Sequence, residues 1–83
     1  MSRGKKQSVR HKTEYETLRE NIKFYRMRKK LTQANLAELV GVSLNHIAAI
    51  EAENVERSIS LELVFCIADA LEVETYKLFL RHE

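Results

Sequence analysis

Proline is absent from this 83-residue sequence, and glycine occurs only twice, at Gly4 and Gly41. A β-sandwich or a β-barrel needs many tight turns, and such turns are built largely from these two residue types. Their shortage therefore favours helices over strands. A chain of this length forms at most one domain, and self-association is a common way to stabilise so small a core.

Cysteine is almost absent as well, because Cys66 is the only one and no internal disulfide can form. It stands in the apolar run 63–68, where we expect a buried small hydrophobe in a reducing, cytoplasmic protein. This run is far too short to cross a bilayer, and no apolar stretch of a secretory signal follows the basic N-terminus. We therefore expect no membrane partner.

The patterns that carry catalysis or metal binding are also missing. The histidines His11, His46 and His82, together with Cys66, lack the spacing of metal ligands. The sequence contains no glycine-rich phosphate loop and no nucleophile with a visible base partner. We expect no enzyme activity, no cofactor and no small-molecule ligand.

Positive charge is concentrated in the first third of the chain. Residues 1–30 contain 11 Lys and Arg against 3 Glu, whereas residues 31–83 contain 3 Lys and Arg against 9 Asp and Glu. Residues 1–12 are polar and lack apolar periodicity, so we interpret them as a flexible basic arm ahead of a single domain over 13–83. The arm either contacts a polyanion or is a solvated tail without a partner.

Apolar spacing predicts three of five helices outside the central region. Thr13 and Glu16 match a capping box, and helix 1 is predicted over about 14–30. Helix 4 is predicted after Ser60, with a wide apolar face formed by Leu61, Val64, Phe65, Ala68 and Leu71. A short helix 5 is predicted from Glu74 to about Arg81.

The central stretch 33–51 has the spacing that a helix-turn-helix needs. Thr32 and Ser43 are suitable N-caps for two short helices. Ala37 supplies a small residue where these helices approach, and Gly41 suits the left-handed backbone of the tight turn between them. The remaining positions are expected to form a small core of Leu36, Val40, Ile47 and Ile50.

The stretch from Ile22 to Phe79 resembles the phage-repressor and Cro-like helix-turn-helix family, also called the XRE family. The matching segments are 31–37, 41–43, Ile47, Ile50-Glu51, 60–62, 67–71 and 73–79. The resemblance implies an all-α, compact five-helix fold of the lambda-repressor type, and it implies double-stranded DNA as the partner. Lys30 and Glu72 stand where the family commonly has glycine, so we expect left-handed backbone at both.

The same resemblance assigns roles to individual residues. Gln33 matches a residue that bonds a DNA phosphate at the start of helix 2, and Leu44, Asn45 and Ala49 match base-facing positions. For His46 the sequence itself leaves two alternatives open, a phosphate contact and a partly buried packing role. The DNA-facing set is Gln33, Ser43, Leu44, Asn45, His46, Ala48 and Ala49.

Two further expectations concern structure and assembly. Arg26 and Glu51 match a structural ion pair between helix 1 and the end of the recognition helix. Tyr76, Phe79 and Leu80 lie on a final helix with more apolar residues than one small core needs, so we expect them in a two-fold homodimer interface. The interpretation is a homodimeric transcriptional regulator, with repression as the working role and activation left open. The alternative is a protein-interaction module, such as an antirepressor or an antitoxin-like partner.

Overall fold

The computed structural model describes residues 11–52 and 59–81 of the chain. Within these ranges the chain is all-helical and has no strand, as predicted. The elements are α1 (Lys12–Arg28), α2 (Gln33–Val40), α3 (Leu44–Glu51), α4 (Leu61–Leu71) and a 3-10 helix (Thr75–Phe79). Most of the predicted basic arm, residues 1–10, and most of the loop before Ser60, residues 53–58, lie outside the described residues.

Helix α1 lies about two residues earlier than predicted. Its N-cap is His11, which makes no side-chain capping bond, so the predicted capping box of Thr13 and Glu16 is wrong. It ends early because Lys30 has a φ of +62°, a left-handed conformation that stops the helix. The N–H of Leu31 then donates to the Arg26 carbonyl at 3.0 Å, which closes the helix end.

The two central helices begin and end through local capping bonds. Thr32 Oγ1 accepts from the Asn35 N–H at 2.9 Å, and Asn35 Oδ1 accepts from the Thr32 N–H at 3.0 Å, which completes a capping box. Gly41 has a φ of +85° and ends α2. Ser43 Oγ then accepts from the His46 N–H at 3.0 Å and starts α3. This tight connection fixes the relative orientation of α2 and α3.

Helix α4 packs on the core with a narrower face than predicted. Leu61 and Phe65 are 61% and 44% exposed, so they do not belong to the buried stripe. Its buried residues are Val64, Ile67, Ala68 and Leu71. These four share one side of the helix at spacings of three, one and three, and Leu61 and Phe65 lie beside that side. The buried core among the described residues is Leu18, Ile22, Leu36, Ala37, Ile47, Ile50, Val64, Ile67, Ala68, Leu71 and Leu78.

The segment predicted as a fifth α-helix is a 3-10 helix, and it is tied to α1 by one polar side chain. Asn21 is 1% exposed. Its Nδ2 donates to the carbonyl oxygens of Leu78 at 2.8 Å and of Leu80 at 2.7 Å. Both hydrogens of this amide are therefore used to hold the backbone at and after the 3-10 helix against α1.

Candidate nucleic-acid interface

Helix α3 has one buried side and one accessible side. Ile47 and Ile50 are 0% and 3% exposed and anchor the helix in the core. The residues predicted to face DNA lie on the other side, because Leu44 and Asn45 are exposed and Ala48 and Ala49 are half-buried. This surface, which we call the α3 face, consists of Leu44, Asn45, Ala48 and Ala49.

Ser43 and His46 lie at the N-terminal end of the α3 face. The Ser43 hydroxyl already accepts the His46 backbone N–H as the cap of α3. Both residues are exposed. A partly buried packing role for His46, one of the two alternatives at the sequence level, is therefore wrong, and its ring is accessible to a ligand.

Gln33 is the first residue of α2 and is half-buried. Its Nε2 donates to Glu51 Oε1 at 3.0 Å, a bond that joins the start of α2 to the end of α3. In the first turn of a helix the backbone N–H groups have no partner inside the helix. Here the N–H of Asn35 is capped by Thr32, whereas the N–H groups of Gln33 and Ala34 have no partner within residues 11–52 and 59–81 and can meet an anion.

Arg26 and Glu51 form a bidentate ion pair beneath this site. Arg26 Nε donates to Glu51 Oε2 at 2.7 Å, and Nη2 donates to Oε1 at 2.9 Å. The two side chains are 10% and 3% exposed. The remaining guanidinium nitrogen, Nη1, donates to the Leu31 carbonyl at 2.7 Å. The pair therefore fixes the end of α3 against α1, with few of its polar atoms left for water.

Residues 22–78 match the profile of the helix-turn-helix family. The chain belongs to the helix-turn-helix family. It is 35% identical over 66 residues to the control protein C.SmaI of Serratia marcescens, a match that covers 80% of this chain and 76% of that protein. The family is of the XRE type that the sequence resembles, and its members are DNA-binding transcription regulators rather than enzymes.

Two solved structures share the fold. One is a hypothetical transcription factor, NHTF, from Neisseria, with a TM-score of 0.75 and 28% identity over 82% of this chain and 74% of that one. The other is the restriction-modification controller protein C.AhdI from Aeromonas hydrophila, with a TM-score of 0.72 and 27% identity over 81% of this chain and 98% of that one. The helix-turn-helix regulator described here therefore shares its fold with both proteins over about four-fifths of its chain.

This helix-turn-helix regulator has no cationic Lys or Arg on its two central helices, α2 and α3, and one cation at the end of α1 is paired. At the end of α1, Lys29 Nζ donates to Glu72 Oε1 at 2.7 Å, and the Arg28 guanidinium lies 5.7 Å from the centre of the Phe24 ring. The ion pair of Lys29 reduces the net positive charge at the end of α1, whereas the ring contact leaves the charge of Arg28 unchanged.

A separate apolar surface surrounds the 3-10 helix. Leu78 is fully buried, whereas Tyr76, Phe79 and Leu80 are 58%, 48% and 51% exposed. We call these three residues the C-terminal apolar patch. An open groove of about 280 Å³ lies beside it, with the apolar side chains Tyr15, Leu18, Ile59, Leu61, Val64 and Phe79 along its walls.

The other sequence-level expectations have mixed outcomes. Cys66 is half-buried rather than buried, with Sγ 3.7 Å from Glu62 Oε2. Burial raises the pKa of the Cys66 thiol, and the neighbouring carboxylates of Glu62 and Asp69 raise it further. Over 11–52 and 59–81, no helix is long and apolar enough to cross a membrane, and no cluster of potential metal ligands occurs. His82 lies outside the described residues.

The sequence did not indicate two sets of polar contacts, one at the site and one at the 3-10 helix. The bond from Gln33 to Glu51 and the double donation by Asn21 both join residues that are far apart in the chain. A polar residue on the apolar side of a helix is the signal that could have revealed Asn21, since it directly precedes Ile22 in the buried part of α1.

Proposed function

We propose that this chain is a homodimeric transcription regulator that reads duplex DNA in a sequence-specific way through the N-terminal half of α3. The observation that supports this is the α3 face, where Leu44, 48% exposed, and the exposed Asn45 stand at the first turn of a well-anchored helix. The major groove of B-DNA accepts an α-helix, and in a helix-turn-helix the first helix crosses the backbone while the second lies in the groove.

The proposed contacts divide into positioning and base reading. Gln33 and the free N–H groups of the first turn of α2 bind a phosphate, and His46 and Ser43 lie near the backbone. Asn45 is the polar residue on the α3 face, and an Asn side chain pairs with the N6 and N7 atoms of adenine. The apolar residues beside it contact thymine methyl groups, and these are Leu44, Ala48 and Ala49.

A dimer is proposed because one α3 covers only a short half-site and the charge near it is low. The C-terminal apolar patch of Tyr76, Phe79 and Leu80 has the exposed apolar character that an isologous interface needs. Two recognition helices related by a two-fold axis read half-sites about 34 Å apart, or one helical turn of DNA. The operator is therefore proposed to be palindromic.

The names of two relatives suggest a biological role. C.SmaI is named a control protein, and C.AhdI is named a restriction-modification controller. We propose the same class of role here, the control of a restriction–modification system, with repression as the working mode. The expression of a reporter driven by the promoter of such a system is expected to fall when this protein is added. A rise in expression would show activation instead.

The deciding experiment compares Asn45→Ala and Gln33→Ala on an operator selected from a random duplex pool and on all its single-base variants. Asn45→Ala is expected to lose about 1–3 kcal/mol of binding free energy at one base pair and to relax preference there. Gln33→Ala is expected to weaken binding to all sequences alike. If Asn45→Ala binds every variant as the parent does, α3 does not read bases through this residue.

Dimerisation is tested separately on the C-terminal apolar patch. Sedimentation of the parent is expected to show a dimer at tens of micromolar, and the double variant Tyr76→Ser, Phe79→Ser is expected to be monomeric. The matched control is Leu39→Ser on α2, an equally exposed apolar residue outside the patch, which should remain dimeric. A monomeric parent, with and without operator DNA, would contradict the proposed dimer.

One observation favours the alternative of a protein-interaction module. Leu39 and Leu44 are 59% and 48% exposed on helices without Lys or Arg, and exposed apolar residues suit a protein partner. A salt series separates the two functions. DNA binding through phosphates weakens steeply as salt rises, and a chain without residues 1–10 should show a shallower slope if that basic segment contributes. If the affinity for operator DNA does not change with salt concentration, phosphate contacts do not drive the binding, and the protein-interaction module is favoured.

A further inference from the structure

The carboxylate of Glu51 joins three helices at one point. Its Oε1 accepts two hydrogen bonds, from Arg26 Nη2 at 2.9 Å and from Gln33 Nε2 at 3.0 Å, and its Oε2 accepts from Arg26 Nε at 2.7 Å. Arg26 belongs to α1, Gln33 begins α2, and Glu51 ends α3. The Glu51 side chain is only 3% exposed, so it does not itself meet a ligand at the surface.

The position of Glu51 Oε1 is fixed by Arg26, which is itself held by a further hydrogen bond. Arg26 Nη1 donates to the Leu31 carbonyl at 2.7 Å, and this bond orients the guanidinium plane independently of the Glu51 carboxylate. A bidentate Arg–carboxylate pair then aligns both groups, which a single point charge would not do. Oε1 of Glu51 is therefore presented to Gln33 at a defined place.

The carboxamide of Gln33 has one donor to spare. Its Nε2 carries two hydrogens, and the bond to Glu51 uses one of them. The same end of α2 offers the backbone N–H groups of Gln33 and Ala34, which have no hydrogen-bond partner in the part of the chain that the structure describes. A phosphate, with several acceptor oxygens, matches one fixed side-chain N–H beside two backbone N–H groups.

We infer that Glu51 is a positioning residue that orients the Gln33 carboxamide for a DNA phosphate without touching DNA. The inference rests on the proposed function and extends it, because it connects Arg26 on α1 to the phosphate contact on α2. A carboxamide that is ordered before binding loses less side-chain freedom when the phosphate arrives. Removing the acceptor is thus expected to remove most of the affinity that Gln33 contributes.

The test is a double-mutant cycle measured as operator affinity. The acceptor is removed by the paired variant Arg26→Met, Glu51→Met, which replaces the buried ion pair by apolar side chains and keeps the core filled. Gln33→Ala is made in the parent and in the paired variant. In the parent it is expected to weaken binding about 2- to 10-fold, the range for one hydrogen bond, and in the paired variant by less than about 2-fold.

The matched control replaces the cation and the anion of another ion pair by methionine. Lys29→Met with Glu72→Met also removes one cation and one anion that join α1 to a later helix, but away from Gln33. In this control background, Gln33→Ala should keep its full 2- to 10-fold effect, as in the parent. Circular dichroism at the binding temperature checks that each variant is folded.

A measurement on the unaltered chain covers the case in which the paired variant does not fold. The ¹⁵N order parameter of the Gln33 carboxamide in free protein is expected to approach about 0.85, the value of rigid backbone, and to exceed that of the exposed Asn45 carboxamide. A value below about 0.6 overturns the inference, because the group is then not held.

The outcomes of the cycle are distinct. An equal loss on Gln33→Ala in the parent and in the paired variant overturns the positioning role and leaves the proposed function standing. A parent that binds no duplex at low salt overturns the proposed function and with it the inference. A loss confined to backgrounds that retain Glu51 supports both.

Discussion

The ammonium group of Lys29 donates to Glu72 Oε1 at 2.7 Å, so the residue that caps α1 holds the residue that caps α4. Each helix stops at a left-handed residue that is not glycine, with a φ of +62° at Lys30 and +60° at Glu72. Glycine usually occupies such positions. Two strained helix ends are therefore joined by one exposed ion pair.

The variant Lys30→Gly is expected to stabilise the chain by about 0.5–1 kcal/mol. A side chain in left-handed backbone costs about 1–2 kcal/mol, and the change to glycine removes this cost. Part of the gain is offset because glycine has more conformational freedom in the unfolded chain. Urea unfolding followed by circular dichroism measures the difference. The control Lys23→Gly, at an exposed position inside α1, should instead lose about 1 kcal/mol. A loss at both positions would contradict the account of Lys30.

Acid should weaken the ion pair in a defined direction. The hydrogen bond from Lys29, and then its charge, hold the pKa of Glu72 below its ordinary value. Because the pKa is lower in the folded chain, the contribution is fully present above the unfolded pKa and is lost as pH falls through the folded pKa. The stability difference between the parent and Glu72→Gln should therefore shrink from pH 7 to pH 3. A constant difference would contradict the prediction, and 0.5 M salt should reduce the difference at pH 7.

Breaking the buried pair from one side should cost far more than removing it. Arg26→Met leaves the Glu51 carboxylate buried without its partner, and we expect a loss of about 3–5 kcal/mol in the free energy of unfolding. Adding Glu51→Met should restore much of this loss, because no stranded charge remains. Arg28→Met, at an exposed position of α1, is the control and should change stability by less than about 1 kcal/mol. Equal losses in the single and paired variants would remove the claim.

Asn21 offers a test of how firmly the 3-10 helix is held. In Asn21→Ala, the carbonyl groups of Leu78 and Leu80 lose their donor, and the expected loss is about 1–3 kcal/mol. Asn45→Ala, at an exposed position of α3, should stay within about 0.5 kcal/mol of the parent. Hydrogen exchange should quicken selectively at the amides of residues 77–80 in Asn21→Ala. Unchanged exchange at those amides would show that Asn21 does not hold the segment.

Local rules of sequence predicted the central part of this fold well. Thr32, Gly41 and Ser43 act through bonds to residues within a few positions, so their roles could be inferred without tertiary structure. Apolar spacing predicts an α-helix from Glu74 to about Arg81, whereas the structure has a 3-10 helix over Thr75–Phe79, because so short a segment does not let spacing separate the two helix types. Leu61 and Phe65 were assigned to the core because spacing alone does not show how wide a face is covered.

The site was predictable only where a family pattern supplied long-range information. The pairing of Arg26 with Glu51, 25 residues apart, came from the resemblance and from no local rule. The bond between Gln33 and Glu51 depends on side-chain rotamers and on the crossing of α2 with α3, so the sequence could not indicate it. The engagement of Lys29 by Glu72 was missed for the same reason, and it lowers the free positive charge that the sequence suggested.

The clamp by Asn21 also has a consequence for the order of events during synthesis. Its two acceptors lie 57 and 59 residues further along the chain. Contacts so distant in sequence form late, whereas the capped pair α2 and α3 depends on contacts within 19 residues and can assemble early. A nascent chain on the ribosome thus acquires its DNA-reading unit first. The packing of the 3-10 helix on α1 is expected to be completed only after residues 78–80 have left the exit tunnel.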